Sequence, residues 1–253
     1  MNALQDKVAL VTGSSRGIGA AIAKLFAREG AKVAVHGRDA VAMSGTREEI
    51  ERDGGHALCV TADVTKFDEI EAMRQRIEQE MGPIDVLVAN AGGSYTMPGP
   101  IEETSEEGFR TSVDGNLIAT FLTIKSVLPG MKRRGEGSII TVSSSAGRRA
   151  HPRSPIAYAA AKAGIEILTQ DVAMQAGPFG IRVNCIAPET ILTERNLQRI
   201  PEAQQSQLVD AHPLKRLGTP DDVARAALFL ATPSASWITG IVLDVAGGAT
   251  MVR

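Results

Sequence analysis

The chain has little of the material on which several protein classes depend. Its 253 residues include only two cysteines, Cys59 and Cys185, each inside an apolar run. Thiols so placed give neither a disulfide framework nor the spacing of metal ligands, so we expect no metal site and two buried, reduced thiols in a cytoplasmic protein. Aromatic residues make up 4% of the chain, and this scarcity argues against a stacking surface for single-stranded nucleic acid.

Net charge and long apolar segments are lacking as well. The 27 basic and 29 acidic residues leave a net charge of -2, which argues against broad binding to nucleic acid or to an anionic membrane. No uncharged apolar run approaches the ~18 residues of a membrane span, and residues 1–7 lack the order of a signal peptide. What is present is an ordinary globular composition, 43% hydrophobic, in a chain long enough to bury a large core.

Short apolar runs alternate with helix-forming stretches along the whole chain. Because these runs are continuous in hydrophobicity, they predict strands that are covered on both faces. Strand, helix and strand in repetition predict a parallel sheet with right-handed crossovers. We therefore expect an α/β fold, a single doubly wound domain over residues 1–253 with a seven-stranded parallel sheet and helices on both faces. The predicted strands are residues 8–11, 33–35, 57–60, 86–89, 139–142, 183–186 and 241–245.

Residues 189–213 depart from this alternation of strands and helices. The segment is rich in Glu, Gln and Arg and follows the sixth predicted strand. Parallel sheets bind their ligands at the carboxyl ends of the strands, so an insertion at this place predicts a lid over the substrate. An ordinary pair of surface helices is the alternative.

A glycine-rich turn follows the first predicted strand and opens a helix predicted over residues 20–28. It reads Thr12-Gly13-Ser14-Ser15-Arg16-Gly17-Ile18-Gly19. Glycines permit a tight turn and a close approach of the backbone to a pyrophosphate, and the helix N-terminus offers free N–H groups to phosphate. The turn predicts a dinucleotide site on a Rossmann-type domain, with contacts from Gly13, Ser15, Arg16, Gly17, Ile18 and Gly19.

The end of the second strand predicts which dinucleotide is used. An acidic residue there favours NAD, whereas a basic one accommodates the 2′-phosphate of NADP. This chain has Gly37 at the expected acidic position, followed by Arg38. Arg38 and Arg16 together suit the bidentate geometry of a phosphate, so we expect NADP(H), with NAD(H) as the alternative. In that alternative Arg38 is merely solvated and Asp39 caps the next helix.

Tyr158 and Lys162 stand four residues apart in an alanine-rich stretch that is predicted to be helical over residues 156–177. This spacing puts the phenol and the ammonium on one face. Acid–base work by a tyrosine near neutral pH needs a cation that stabilises phenolate, and Lys162 supplies one. Such a pair is common by chance, so its meaning depends on the polar residues at the ends of neighbouring predicted strands and between them. These are Asn90-Ala91-Gly92, Asn116 and Ser143-Ser144-Ser145.

Taken together and in this order, these pieces resemble the short-chain dehydrogenase/reductase family, single-domain type, over essentially the whole chain. The pieces are the turn at 12–19, Asp63-Val64, Asn90-Ala91-Gly92, Asn116, Ser144, Tyr158-x-x-x-Lys162 and Asn184-x-x-x-Pro188. Overall the chain is similar to 3-oxoacyl-[acyl-carrier-protein] reductases. The resemblance implies a hydride transfer between a nicotinamide cofactor and a ketone or secondary alcohol.

The resemblance also implies roles for single residues. Tyr158 is the general acid that protonates the carbonyl oxygen, and Ser144 hydrogen-bonds that oxygen as charge develops on it. Lys162 lowers the pKa of Tyr158 and binds the nicotinamide ribose, and Asn116 holds a water in the proton relay. Further cofactor contacts are implied at the adenine, at its ribose with the neighbouring backbone, and at the nicotinamide end. Their residues are Asp63, Val64, Asn90, Ala91, Gly92, Pro188, Ile191 and Thr193.

Two features depart from the family's pattern or add to it. Glu189 follows Pro188 where most relatives have glycine, so either the backbone is ordinary there or Glu189 helps to shape the site. The loop from Ser144 to Tyr158 carries Arg148, Arg149 and Arg153. These arginines predict a substrate with a carboxylate, phosphate or phosphopantetheine group, unless the loop is solvated or faces another subunit.

Substrate and partners stay open at this stage. A 3-oxoacyl thioester is one candidate, with Lys132-Arg133-Arg134 as a docking edge for an acyl carrier protein. A small polyol, a sugar acid or a hydroxysteroid is the alternative, because the fold does not select a substrate. A non-catalytic NADPH-sensing protein is a third hypothesis, and the Ser144, Tyr158 and Lys162 set argues against it.

The family implies a homotetramer or homodimer, and small residues along the predicted helix 156–177 permit close helix packing.

Overall fold

The computed structural model describes residues 2–251, in which seven parallel strands form one sheet. The strands are β1 (Val8–Val11), β2 (Lys32–His36), β3 (His56–Val60), β4 (Val86–Ala89), β5 (Gly137–Val142), β6 (Ile181–Pro188) and β7 (Val242–Val245). All seven predicted strands are present, and the α/β prediction of a doubly wound sheet is confirmed.

The strand order is β3-β2-β1-β4-β5-β6-β7. Strands β2 and β3 are added on one side of β1, and β4 to β7 are added on its other side, so the order of the strands reverses between β1 and β4. At such a switch point the loops that follow the two strands diverge and leave a crevice at their carboxyl ends. The register pairs Val11 of β1 with Val88 of β4, which places the glycine-rich turn beside the loop that begins at Asn90.

Ten helices lie along the described chain. They are α1 (Gly17–Arg28), α2 (Ala40–Arg52), α3 (Phe67–Met81), α4 (Glu106–Val113), α5 (Ala119–Arg134), α6 (Ser145–Arg148), α7 (Ile156–Ala176), α8 (Glu194–Arg199), α9 (Glu202–Ala211) and α10 (Pro220–Ala231). A π-helical turn, Asp114–Ile118, joins α4 to α5. Within residues 2–251, none of the helices is both long enough and apolar enough to cross a membrane.

Both faces of the sheet are covered, which explains why the strands have no polar alternation. Successive side chains of a strand point to opposite faces. Ala9 and Val11 accordingly join the core under α1, α2 and α10, whereas Val8 and Leu10 join the core under α3, α5 and α7. The two thiols are free, and Cys185 is buried as predicted. Cys59 is only partly buried, against the prediction, because its strand β3 lies at the edge of the sheet.

The segment after β6 contains the helix pair α8 and α9. The secondary structure of residues 189–213 therefore matches the alternative prediction, a pair of helices.

Candidate active site

The glycine-rich turn at the end of β1 has the geometry that a bound pyrophosphate requires. Gly13 and Gly17 have φ angles of 66° and 59°, a region that side chains other than glycine rarely adopt. A Cβ on Gly19 would lie 2.3 Å from the Gly13 carbonyl oxygen. The N-cap of α1, Arg16, makes no side-chain cap, and the first turn has no acidic residue. The N–H groups and the positive dipole end of α1 thus face an anion without competition, so these residues fit a dinucleotide.

Two side chains, Asn90 and His36, fix the backbone of this turn by hydrogen bonds. Asn90 Nδ2 donates to the carbonyl oxygens of Thr12 and Gly13, at 2.9 and 3.1 Å. His36 Nδ1 accepts from the Gly13 N–H at 3.0 Å, and its Nε2 lies 3.0 Å from the Ala62 carbonyl oxygen. A carbonyl only accepts, so Nε2 carries the proton and the ring is neutral. Burial lowers the pKa of His36 and favours this form.

His36 is a functional candidate that the sequence reasoning missed. The only signal was a histidine at the end of an apolar strand, a position at which a satisfied core residue is the usual finding. Asn90 meets the neighbouring backbone as predicted, and its contact with a ribose stays a prediction.

The adenine side of the crevice is less simple than predicted. A Cβ on Gly37 would lie 3.1 Å from the Ser15 Cβ, so the usual acidic residue has little room there. Arg38 is exposed, but Arg16 forms an ion pair with Asp39. Asp39 also caps α2 by accepting from the Ala42 N–H at 3.1 Å. The capping alternative is confirmed for Asp39. Asp39 also pairs with the Arg16 guanidinium, and the convergence of Arg16 and Arg38 on a phosphate stays a prediction.

Asp63 and Val64 form the floor of the adenine side. Asp63 Oδ1 accepts from the N–H and the hydroxyl of Thr65, at 3.0 and 2.7 Å. These bonds lower the pKa of Asp63 and keep it ionised. Val64 packs against the core under α3. Their predicted contacts with adenine stay predictions.

Tyr158 and Lys162 face the end of β5 from α7. Lys162 Nζ lies 5.5 Å from the centre of the Tyr158 ring and donates to the Val142 carbonyl oxygen at 2.8 Å. Burial lowers the pKa of Lys162 to about 8. Burial also raises the pKa of Tyr158, and a hydrogen bond with Ser144 and the charge of Arg195 oppose this rise only in part. Desolvation of the phenol dominates in this arrangement, and the predicted lowering of the Tyr158 pKa by Lys162 stays a prediction.

Of the three serines at the end of β5, Ser144 is the one that meets Tyr158, as predicted. Its hydroxyl hydrogen-bonds with the phenol and also accepts from the Ala146 N–H at 3.3 Å. Ser143 points the other way, with its hydroxyl 3.0 Å from the Lys162 carbonyl oxygen and 2.8 Å from Glu166 Oε1. Ser144 and Tyr158 therefore present two hydroxyls side by side, which is the arrangement that a carbonyl oxygen needs.

Asn116 lies in the π-helical turn rather than in a regular helix. Its Nδ2 donates to the carbonyl oxygens of Gly93 and Ser112, at 2.9 and 2.8 Å, and its Oδ1 accepts from the Gly93 N–H at 3.0 Å. A Cβ on Gly92 would lie 2.5 Å from this Oδ1. The side chain thus fixes the loop after β4, and its role toward a water stays a prediction. Such π turns are frequent at functional sites.

The segment after β6 returns to the glycine-rich turn. Thr193 caps α8, and its Cγ2 lies 3.4 Å from the position of a Cβ on Gly17. Ile191 is buried in the core, so only its backbone is available to a ligand. Glu189, after Pro188, does not have a positive φ. The backbone is therefore ordinary there, and the Glu189 carboxylate accepts from the hydroxyls of Thr190 and Thr250, at 3.2 and 3.4 Å.

The arginine-rich loop does not serve the site in the predicted way. Arg148 Nε donates to Asp244 Oδ1 at 2.9 Å, and its Nη1 donates to Glu166 Oε2 at 2.9 Å. The prediction is wrong for Arg148, because these two carboxylates hold its guanidinium. Arg149 and Arg153 are exposed.

Arg195 is the arginine that reaches the site, and the sequence reasoning missed it. From α8 it donates to the Ser94 carbonyl oxygen at 3.5 Å, and its charge acts on Tyr158. Nothing in the polar composition of residues 189–213 distinguishes it from its neighbours.

Comparisons with known proteins agree with this geometry. A family model described as enoyl-(acyl carrier protein) reductase matches residues 13–250. The chain is 36% identical to a 7alpha-hydroxysteroid dehydrogenase of Escherichia coli (strain K12), over 97% of this chain and 94% of the relative. It is 39% identical to a 3-oxoacyl-[acyl-carrier-protein] reductase of Chlamydia muridarum, over 97% and 98% of the two chains.

A solved structure of a 7 alpha-hydroxysteroid dehydrogenase, complexed with NADH and 7-oxo glycochenodeoxycholic acid, superposes with a TM-score of 0.92. It is 36% identical in sequence, and the match covers 98% of this chain and 95% of that one. The sheet and the helices described above are thus similar to those of a dehydrogenase solved in complex with NADH.

Proposed function

Because the chain belongs to the short-chain dehydrogenase/reductase family, it is an oxidoreductase of alcohols or ketones with a nicotinamide cofactor, and we propose that it reduces a ketone with NADPH. The observation that carries the proposed direction is the phenol of Tyr158. It is hydrogen-bonded to Ser144, and burial raises its pKa. The group is therefore protonated near neutral pH and suited to give a proton to a carbonyl oxygen.

The residues divide the reaction between them. The bound cofactor supplies a hydride, with its two electrons, to the carbonyl carbon. Tyr158 would give its proton to the oxygen, so that the ketone becomes a secondary alcohol with a C–O single bond, a new C–H bond and a new O–H bond. The Ser144 hydroxyl donates a hydrogen bond to the same oxygen as negative charge grows on it. Lys162, charged below its pKa of about 8, stabilises the phenolate that remains.

Three features of the adenine side support NADP(H) over NAD(H). Gly37 replaces the usual acidic residue, Ser15 fills the space beside it, and Arg38 is exposed next to it. Asp39 favours the alternative, because it pairs with the Arg16 guanidinium that the 2′-phosphate would need. Arg38→Gln should raise the KM for NADPH about 10- to 100-fold and change that for NADH little, since a charge-assisted bond to phosphate is lost. Equal changes for both cofactors would refute the NADP(H) assignment.

The direct test of the reaction follows NADPH consumption with acetoacetyl-CoA as a 3-oxoacyl thioester. Tyr158→Phe should abolish turnover while NADPH still binds, as measured by its fluorescence. Turnover that survives in Tyr158→Phe would refute the role of this phenol. An unmutated protein that binds NADPH tightly but reduces no carbonyl compound would support the NADPH-sensing alternative.

Two contacts weaken the proposed docking of an acyl carrier protein. Lys132 lies over the Phe179 ring, 4.6 Å from its centre, and Arg134 donates to the Ile84 carbonyl oxygen. Two of the three basic residues at this edge therefore have partners within the chain. A small-molecule ketone is thus the better-supported substrate, with a sugar acid, polyol or hydroxysteroid as the alternative product class.

We further propose that residues 1–253 act as one catalytic domain, that residues 189–213 close over the substrate as a lid, and that the chain forms a homotetramer or homodimer. The small residues of α7 support the last proposal in part, since Ala160 and Ala163 are exposed whereas Ala157 and Ala161 are buried inside the chain. Exposed apolar side chains on α5 and α7 support it better. Phe121, Ile167 and Met174 are 44, 56 and 79% exposed, as expected for an association surface.

A further inference from the structure

Arg195 occupies an unusual place for an exposed arginine. Arg195 lies in the first turn of α8, and its side chain extends to the loop after β4. There its Nη2 donates to the Ser94 carbonyl oxygen at 3.5 Å. Its Nη1 lies 3.3 Å from the position of a Cβ on Gly93, so the absence of a side chain at Gly93 lets the guanidinium lie against this loop. The Arg195 side chain therefore bridges the segment after β6 and the segment after β4, at the mouth of the site.

Its charge acts on the reacting group. Arg195 lowers the pKa of Tyr158, against the larger effect of burial. A cation that influences the phenol in this way is also within electrostatic reach of a substrate whose carbonyl oxygen is bonded to that phenol.

Arg195 is also poorly satisfied by the protein. Among the residues whose side chains the structure describes (2–198, 200–201 and 204–251), no carboxylate lies within ion-pair distance of its guanidinium, whereas Arg16, Arg148 and Arg216 each have such a partner. Its one bond, to Ser94, is long. A guanidinium has five N–H donors, so most of them are available to a ligand that enters the mouth.

We propose that Arg195 binds an anionic group of the substrate, so that the enzyme's substrates are keto acids and the corresponding hydroxy acids. This inference rests on the proposed ketone reduction and adds the substrate class. A single guanidinium matches the single charge of a carboxylate, and the planar fork of donors matches its two oxygens. A phosphate shares this chemistry and is distinguished by the experiment.

The experiment compares ketones in pairs that differ in charge. The pairs are acetoacetate with methyl acetoacetate, levulinate with methyl levulinate, and dihydroxyacetone phosphate with dihydroxyacetone, each with NADPH and with NADH. In the unmutated enzyme we expect kcat/KM to be at least about 10-fold higher for a carboxylate than for its ester. Arg195→Gln should remove that preference by lowering kcat/KM for the acid alone. Arg149→Gln is the matched control, because Arg149 is an exposed arginine of the other loop.

A second readout separates binding from a structural role. With a neutral ester as substrate, Arg195→Gln should move the alkaline limb of kcat/KM to higher pH, because loss of the positive charge raises the pKa of Tyr158. A preference for the phosphate alone would overturn the carboxylate assignment. So would an equal fall in kcat/KM for acids and esters in Arg195→Gln, or a loss of preference in Arg149→Gln instead.

The failures of the two proposals are distinguishable. Reduction of esters and acids at equal rates, unchanged in Arg195→Gln, would overturn the role of Arg195 and leave ketone reduction standing. No reduction of any member of the panel by a protein that binds NADPH would overturn both.

Discussion

Arg148 joins three elements beneath the site and gives the sharpest test of the packing. It lies at the end of α6, and its guanidinium bonds to Glu166 of α7 and Asp244 of β7. The side chains of the three residues are only 17, 11 and 19% exposed. Glu166 also lies 2.8 Å from the Ser143 hydroxyl, so the cluster reaches the residue next to Ser144.

Arg148→Met keeps the aliphatic stem and removes the charge. The two carboxylates then lie close together without a cation, and breaking such a pair in a buried setting costs about 3–5 kcal/mol. Because the cluster keeps some contact with solvent, we expect about 3 kcal/mol of lost stability. For a chain of this size that corresponds to a fall in Tm of about 6–12 °C. We also expect a lower kcat, since the end of β5 loses its support.

Thermal unfolding followed by far-UV circular dichroism measures the effect. Arg110→Met is the matched control, since Arg110 and Glu106 form an ion pair whose side chains are 72 and 80% exposed, and such pairs contribute about 0.5 kcal/mol or less. Equal Tm values for the two variants would refute the reasoning about burial. A normal Tm with a raised KM for anionic ketones alone would restore Arg148 as a substrate-binding residue.

Three further predictions concern the buried groups and the turn. The pKa of Lys162 falls from 10.5 to about 8 on folding, so its charge destabilises the folded state below about pH 8, and this penalty vanishes as the pH rises to 10.5. Lys162→Met should abolish turnover, because the cation beside Tyr158 is lost. It should nevertheless raise the free energy of unfolding near pH 7 by about 2 kcal/mol, once the lost bond to Val142 is subtracted. Urea unfolding should show that this gain shrinks toward pH 10. Gly19→Ala should abolish NADPH binding in a fluorescence titration, because its Cβ would meet the Gly13 carbonyl at 2.3 Å, whereas Gly45→Ala, with nothing within 4 Å, should bind normally. The same titration should show weaker NADPH binding as the pH falls below 6.5, because protonation of His36 removes the acceptor for the Gly13 N–H, and His36→Gln should lack this pH dependence.

The sequence predicts the fold and the central residues of the site because their signals are local or fixed in order. Short continuous apolar runs between helix-forming stretches indicate strands covered on both sides, and all seven lie where expected. The glycines of the turn are required by positive φ angles and close contacts, which composition and spacing already indicate. Ser144 differs from Ser143 in lying two residues after Val142 and three before Gly147, which matches the family's spacing, and its hydroxyl hydrogen-bonds with Tyr158.

Pairing over long distances is what the sequence did not supply. Asp244 lies 96 residues from Arg148, and Ser94 lies 101 residues from Arg195. No local pattern tells which arginine meets a carboxylate and which one meets only a carbonyl oxygen. Carboxylates from α7 and β7 hold Arg148 of the predicted loop, whereas Arg195, which lies outside that loop, donates to a carbonyl oxygen. Availability of an arginine for a ligand thus depends on partners that the fold brings from elsewhere.

The opposite pKa shifts of Tyr158 and Lys162 have one cause and set the resting state of the site. Burial disfavours the charged form of both groups, so it raises the pKa of the phenol and lowers that of the ammonium to about 8. Near neutral pH the phenol is therefore protonated while Lys162 is still largely charged. In this state the site can donate a proton but cannot accept one, which favours carbonyl reduction. Alcohol oxidation needs the phenolate, so it should require a higher pH than reduction does.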